Sequence, residues 1–168
     1  ALIGVLRLGK VGEINTRLIE DDWVRAEAAS VIDTTTRSNA RRTMELVSAS
    51  EAEHQKLAKA AIGTNKKTID DAIAVLDQRV YLPEAKAVLL RLKDLRGKYV
   101  QSFSKVVQMV EAGDREGATA LLKSETLPAL DALQEPINAM NALEKKLVET
   151  GGRTVVRDIA SARIQMLA

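Results

Sequence analysis

Cysteine is absent from the chain, so neither a disulfide framework nor thiolate chemistry is open to it. Histidine occurs once, which excludes the paired Glu-x-x-His ligands of a di-metal helical bundle; no metal site and no cofactor is expected. Aromatic residues make up only 2% of the chain, too few for the stacking surfaces that nucleic-acid binding uses. Charge of one sign is also lacking: 25 Lys and Arg against 23 Asp and Glu leave a net +2. No stretch approaches the roughly 20 apolar residues needed to cross a bilayer. A Gly-rich phosphate loop is missing, and no acid pair or evident base lies near the polar positions described below. An enzyme is therefore not expected.

What remains is a helix-forming chain. Only three prolines and nine glycines interrupt 168 residues rich in Ala and Leu, with 29% charged positions. A core poor in aromatics must be built from Ala, Val, Leu and Ile, which suits close, nearly parallel helices. Apolar residues recurring every three or four positions predict four helices. The first spans about 8–47, with Leu8, Val11, Ile14, Leu18, Val24, Ala28 and Ile32 facing inward and Trp23 beside them as a packing anchor. At 1.5 Å per residue it is about 60 Å long, a length that implies a bundle or coiled coil. Ser50 and Glu53 have the spacing of a capping box for a second helix over 51–80. Pro83 precedes a third helix over 84–112, which Gly113 ends, Asp114 then capping the next. The fourth segment runs from 115 toward 167, with a local break at 124–128 where Thr126 caps a restarted helix. Gly151 and Gly152 weaken it further on. The expected architecture is all-α: one domain over 1–168, an antiparallel up-down four-helix bundle with long first and fourth helices.

The stripe of the first helix turns polar in its middle. From Ala28 and Ile32 it passes through Thr35, Asn39 and Arg42 before closing on Leu46. Arg37, Arg41 and Arg42 crowd two turns that hold no acid between Asp33 and Glu45. Such a face is either solvated or a pocket for a carboxylate, because a buried guanidinium needs an acid or a bound anion. Measured from the bundle tip, Thr35 and Arg37 share a depth with Thr64 and Asn65 on the second helix, where Thr68 flanks Asn65. Arg96 and Tyr99 on the third helix and Thr126 on the fourth fall at the same level. One helix with polar groups amid an apolar stripe is ordinary; four at one depth mark a candidate pocket.

Both ends are short apolar fragments, ALIGVL and IQMLA, and the antiparallel arrangement projects both overhangs the same way. They are expected to continue toward one membrane.

The segment RGKYVQSFSKVVQMVEAGDREGATALLKSETLPALDAL resembles the sensor domain of bacterial methyl-accepting chemotaxis receptors. That likeness rests on Arg96-x-x-Tyr99, an apolar run, Gly113-Asp114, the small-residue helix at Ala118 and the downstream Pro128. The first helix is similar to that of the aspartate and serine receptors, whose amino-acid-binding string is matched by Thr36, Arg37, Asn39 and Arg42. A further family arginine falls on Leu46 here, and a second arginine used by relatives that bind organic acids falls on Phe103. The resemblance implies a periplasmic, homodimeric module held between two transmembrane helices and binding a small carboxylate: an organic acid, an aromatic acid or an amino acid. Arg37 and Arg42 favour a site at the dimer interface; Asn65, Arg96 and Tyr99 favour one inside the bundle. The competing readings are the ectodomain of a sensor histidine kinase and a structural bundle without a ligand.

Overall fold

A computed structural model describes residues 12, 13, 16 and 21–166, with side-chain surroundings through residue 161. Four helical limbs make up these described residues. Helix α1 spans Trp23–Ser48, α2 Ala52–Arg79 and α3 Pro83–Glu111; α4, Arg115–Leu121, runs through a π-helical segment, Leu122–Thr126, into α5, Leu127–Met166. The links between limbs are three residues long, which makes successive limbs antiparallel neighbours. Helix α1 lies along α2 and also touches α3 and α5, while α5 packs on α3. The architecture is the expected all-α four-helix bundle. The start of the first helix, with Leu8, Val11, Ile14 and Leu18, lies outside the described residues, as do the ALIGVL segment and residues 167–168 of the closing fragment.

The core is aliphatic, as an aromatic-poor sequence requires. Ile32, Leu76, Leu92, Val106, Leu133, Ile137 and Met140 are all at most 1% exposed. Burying each Ile or Leu side chain contributes roughly 1.5–3 kcal/mol. Two expectations about this core need correction. Trp23 is no packing anchor; it is 58% exposed. The buried face of α1 runs Ala28, Ile32, Thr36, Asn39, Thr43, Leu46, with Thr35 and Arg42 only half-buried beside it. At 3.6 residues per turn, steps of three and of four from Ile32 or Asn39 are nearly equivalent. Packing took the step of four, which brings short threonines inward and leaves Arg42 at the edge.

Helix ends divide in the same way. Gly113 adopts φ +82°, which costs a residue without Cβ little. Asp114 then caps α4, its Oδ1 accepting from the Gly117 N–H at 2.9 Å. Replacing Asp114 with alanine should cost about 1 kcal/mol, read as a lower urea midpoint at unchanged slope. The Ser50–Glu53 capping box does not form: Glu51 is the N-cap of α2, without a side-chain cap bond. With the helix starting one residue later, Ser50 lies outside it. Instead Gln55 Nε2 donates to the Ala49 carbonyl at 2.9 Å, and the Arg115 guanidinium donates to the same oxygen, tying the α1–α2 turn to the start of α4.

The expected break at 124–128 is a π-helical segment in a continuous helix. Pro128 offers no N–H and would crowd the preceding turn of an ordinary α-helix. A wider turn just before it, with the Leu127 N–H bonded to the Leu122 carbonyl, lets the limb pass without stopping. Thr126 is not a cap but a buried side chain. Gly151 and Gly152 likewise remain helical within α5.

Candidate ligand-binding site

One level of the core is polar. Helix α1 contributes Thr36, Asn39 and Thr43, α3 contributes Arg96, Tyr99 and Ser102, and the π-helical segment contributes Thr126, all buried. Several of these groups satisfy one another. Thr43 Oγ1 donates to the Asn39 carbonyl at 2.9 Å, and the Ser102 and Thr126 hydroxyls lie 2.7 Å apart. Phe103 closes the level, its ring edge-on to Tyr99 with centroids 5.2 Å apart.

Two atoms are left over. The Tyr99 hydroxyl and Asn39 Oδ1 are fully buried, and neither has a hydrogen-bond partner within bonding geometry among the described residues. Leaving such a group unbonded costs roughly 1–3 kcal/mol. Burial pushes the Tyr99 phenol up from its ordinary value, partly offset by the Asn39 and Thr43 side chains, which face the hydroxyl as hydrogen-bonding groups without reaching good bonding geometry, and by the Arg96 charge. The phenol is therefore neutral at physiological pH and can both donate and accept.

Arg96 marks the wall of this level toward α2. Its Nη2 donates to Asp70 Oδ1 at 2.6 Å and to the Lys66 carbonyl at 3.1 Å. The guanidinium is 7% exposed but Asp70 is 50% exposed, so the pair spans the boundary between core and solvent. A guanidinium has five donors, and these two bonds use one nitrogen.

The residues singled out in the sequence fall into two groups. Asn39, Arg96, Tyr99 and Thr126 come together at the polar level. Asn65 sits at the α1–α2 seam, its Nδ2 donating to Ser38 Oγ at 3.3 Å. Thr35 is half-buried beside the inner face of α1. Thr68 is half-buried on α2, returning its hydroxyl proton to the Thr64 carbonyl, and Thr64 is exposed and bonds the Ala60 carbonyl.

Arg37, Arg41 and Arg42 do not draw an acid from elsewhere. Arg37 is exposed and pairs with Asp33 at 2.8 Å; Arg42 and Arg41 both reach Glu45, at 2.5 and 3.5 Å. All these acids lie on α1 itself, three or four residues away, where a helix brings side chains together. Arg42 and Glu45 also border a recess of about 380 Å³ with Ser48, Ala49, His54 and Leu57.

Sequence reading missed Thr43, Ser102 and Asp70, and reached Thr36 only through the resemblance to the aspartate and serine receptors. A signal existed for two of the three missed: Thr43 is seven residues from Thr36 on the far side of Asn39, and Ser102 is one turn beyond Tyr99. Asp70 carried none, since Lys66 and Asp70 read as an exposed i,i+4 pair, which they also form at 3.1 Å.

A second feature is a shallow apolar groove of about 580 Å³ between α1 and α2, lined by Trp23, Ala28, Val31, Ala72 and Val75 among others. No described helix is long and apolar enough to cross a membrane. Comparison with curated proteins gives no match. A family model described as a four helix bundle sensory module for signal transduction matches residues 1–153, nearly the whole chain. With its four-limbed all-α bundle, the chain belongs to this family, the four-helix-bundle sensory modules of methyl-accepting chemotaxis signal-transduction proteins.

Proposed function

We propose that this sensor domain binds a small organic, aromatic or amino acid inside the bundle, at the level of Asn39, Arg96, Tyr99 and Thr126. The observation that carries the reading is the pair of unpartnered buried atoms, Asn39 Oδ1 and the Tyr99 hydroxyl, beside a guanidinium with free donors. A ligand carboxylate takes a hydrogen of Arg96 Nε or Nη1, which Asp70 and Lys66 leave unused, and the Tyr99 proton, while a ligand hydroxyl or amine donates to Asn39. The helical arginines Arg37, Arg41 and Arg42 support an interface site less well, since each already has an acid on its own helix.

The module works from the periplasm as part of a homodimeric receptor, between transmembrane helices that flank it. Binding acts by favouring one of two arrangements of the fourth limb, which requires different affinities for the two. The π-helical segment carrying Thr126 is a place in that limb where helical hydrogen bonding departs from the regular α pattern, and so where a register change costs less.

A ligand-free bundle is the second reading, favoured by the internal pairing of Arg96 with Asp70 and of Ser102 with Thr126. Thermal unfolding against acetate, malate, citrate, benzoate and the amino acids separates the two. A ligand at 100 times its dissociation constant should stabilise the chain by about 2.7 kcal/mol. A flat panel supports the structural bundle.

A further inference from the structure

Away from the polar level, near the start of α1, a second group of polar side chains is buried, and these are charged. Arg25 lies between two carboxylates: its Nη2 donates to Asp22 Oδ1 at 2.6 Å and its Nε to Glu144 Oε2 at 2.9 Å. The side chains of Arg25 and Glu144 are 1% exposed and that of Asp22 is 4% exposed. The ring of Tyr81, in the α2–α3 turn, stacks on the guanidinium with its centroid 5.0 Å away. Asp22 and Arg25 are one turn apart at the head of the first helix, while Glu144 stands in the middle of α5. The bridge therefore joins the first limb to the last.

The charges do not balance. Two carboxylates and one guanidinium leave one negative charge out of water, and Glu144 Oε1 has no partner among the described residues. A buried ion pair is costly even when neutral overall; an extra charge adds to that cost. No titratable side chain of α3 or of the rest of α5 forms an ion pair or hydrogen bond with any of the three groups among the described residues; at the end of α2, Arg79 pairs with Asp21, the neighbour of Asp22 in sequence.

We infer that the Asp22–Arg25–Glu144 cluster is a proton-binding site joining the first and last helices, with Glu144 as the carboxylate that takes up the proton. Uptake from solvent onto Glu144 brings the cluster from one net negative charge to zero. Arg25 then keeps its full ion pair only with Asp22, on its own helix, and the attraction across to α5 falls to that of a neutral hydrogen bond. Protons thus act on the contact between the first and last limbs without passing through the polar level proposed for the ligand. Burial raises the Glu144 carboxyl above its ordinary 4.5, and the Asp22 charge adds to this, while Arg25 opposes both.

The test is a pH titration of the whole 168-residue chain, following the glutamate side-chain carboxyl carbons by NMR and the emission of Trp23, the single tryptophan and the neighbour of Asp22. In the unaltered protein one glutamate, assigned as Glu144, is expected to titrate above all others, with Trp23 emission changing at the same midpoint. Glu144→Gln should abolish both the signal and the emission change. Asp22→Asn should move the Glu144 midpoint down, since one source of its elevation is gone. Glu144 titrating with the exposed glutamates, or an emission change that survives Glu144→Gln, overturns the proposal. If either variant fails to fold, the Glu144 titration in the unaltered chain decides alone.

Discussion

Replacing Arg25 with alanine is expected to destabilise the domain by about 3–5 kcal/mol, the range for removing one partner of a buried ion pair. The reason is what stays behind: two carboxylates near a common point, at most 4% exposed, without the guanidinium that held both. Urea unfolding at neutral pH measures the loss as a lower midpoint. A companion variant separates charge from packing. Arg25→Met together with Glu144→Leu and Asp22→Asn fills similar volume without charge and should lie near the unaltered protein, since apolar replacements of buried ion clusters are often neutral or stabilising. Had the cluster been a net source of stability, the triple variant would fall with the single one.

The same cluster sets a sign for pH. The folded-state pKa of Glu144 lies above the ordinary 4.5, so between those values the folded chain holds more protons than the unfolded chain. Stability contributed by this group is fully present below the ordinary value and is lost as pH rises through the folded one. This is opposite to the usual paired carboxylate, whose contribution is lost on acidification. In Arg25→Ala the deficit should therefore shrink as pH falls, because protonation removes the charges that the missing cation had balanced.

How much of this was legible in the sequence depends on which physical signal each residue carries. The four limbs were, because periodic apolar residues, Pro83 and Gly113-Asp114 act locally and the helices obey them. The polar level was half legible. Asn39, Arg96, Tyr99 and Thr126 interrupt apolar stripes, and the bundle gathers them. Which neighbour of Asn39 turns inward was not, since Thr35 and Thr36, or Arg42 and Thr43, differ by only one step of a 3.6-residue repeat. Contacts across the bundle settle that choice. The charged cluster was illegible for a related reason: Glu144 follows Leu143, which reads as the apolar position of its stripe. In α5 it is Glu144 that is 1% exposed, while Leu143 packs at the edge of the core. Nothing local distinguishes a glutamate that will meet Arg25 from one that will meet water.

Tyr99 supplies the sharpest test of the interior site, because its ring and its hydroxyl have separable roles. Tyr99→Ala removes a ring that is 2% exposed and its edge-on contact with Phe103, and should cost about 3–5 kcal/mol. Tyr99→Phe keeps the ring and deletes only the hydroxyl. Since that hydroxyl makes no hydrogen bond of good geometry among the described residues, its loss should change stability by less than about 1 kcal/mol and can stabilise. For any acid that shifts the unfolding temperature of the unaltered protein, however, the Phe variant should bind about 10- to 100-fold more weakly, the worth of one hydrogen bond to a charged group. An unliganded Phe variant that loses several kcal/mol would mean that the hydroxyl is already engaged in the folded core. Full affinity in a stable Phe variant would move the acid away from Tyr99. A stable domain with weakened binding is the combination that only an interior ligand site produces, since a purely structural tyrosine has no affinity to lose.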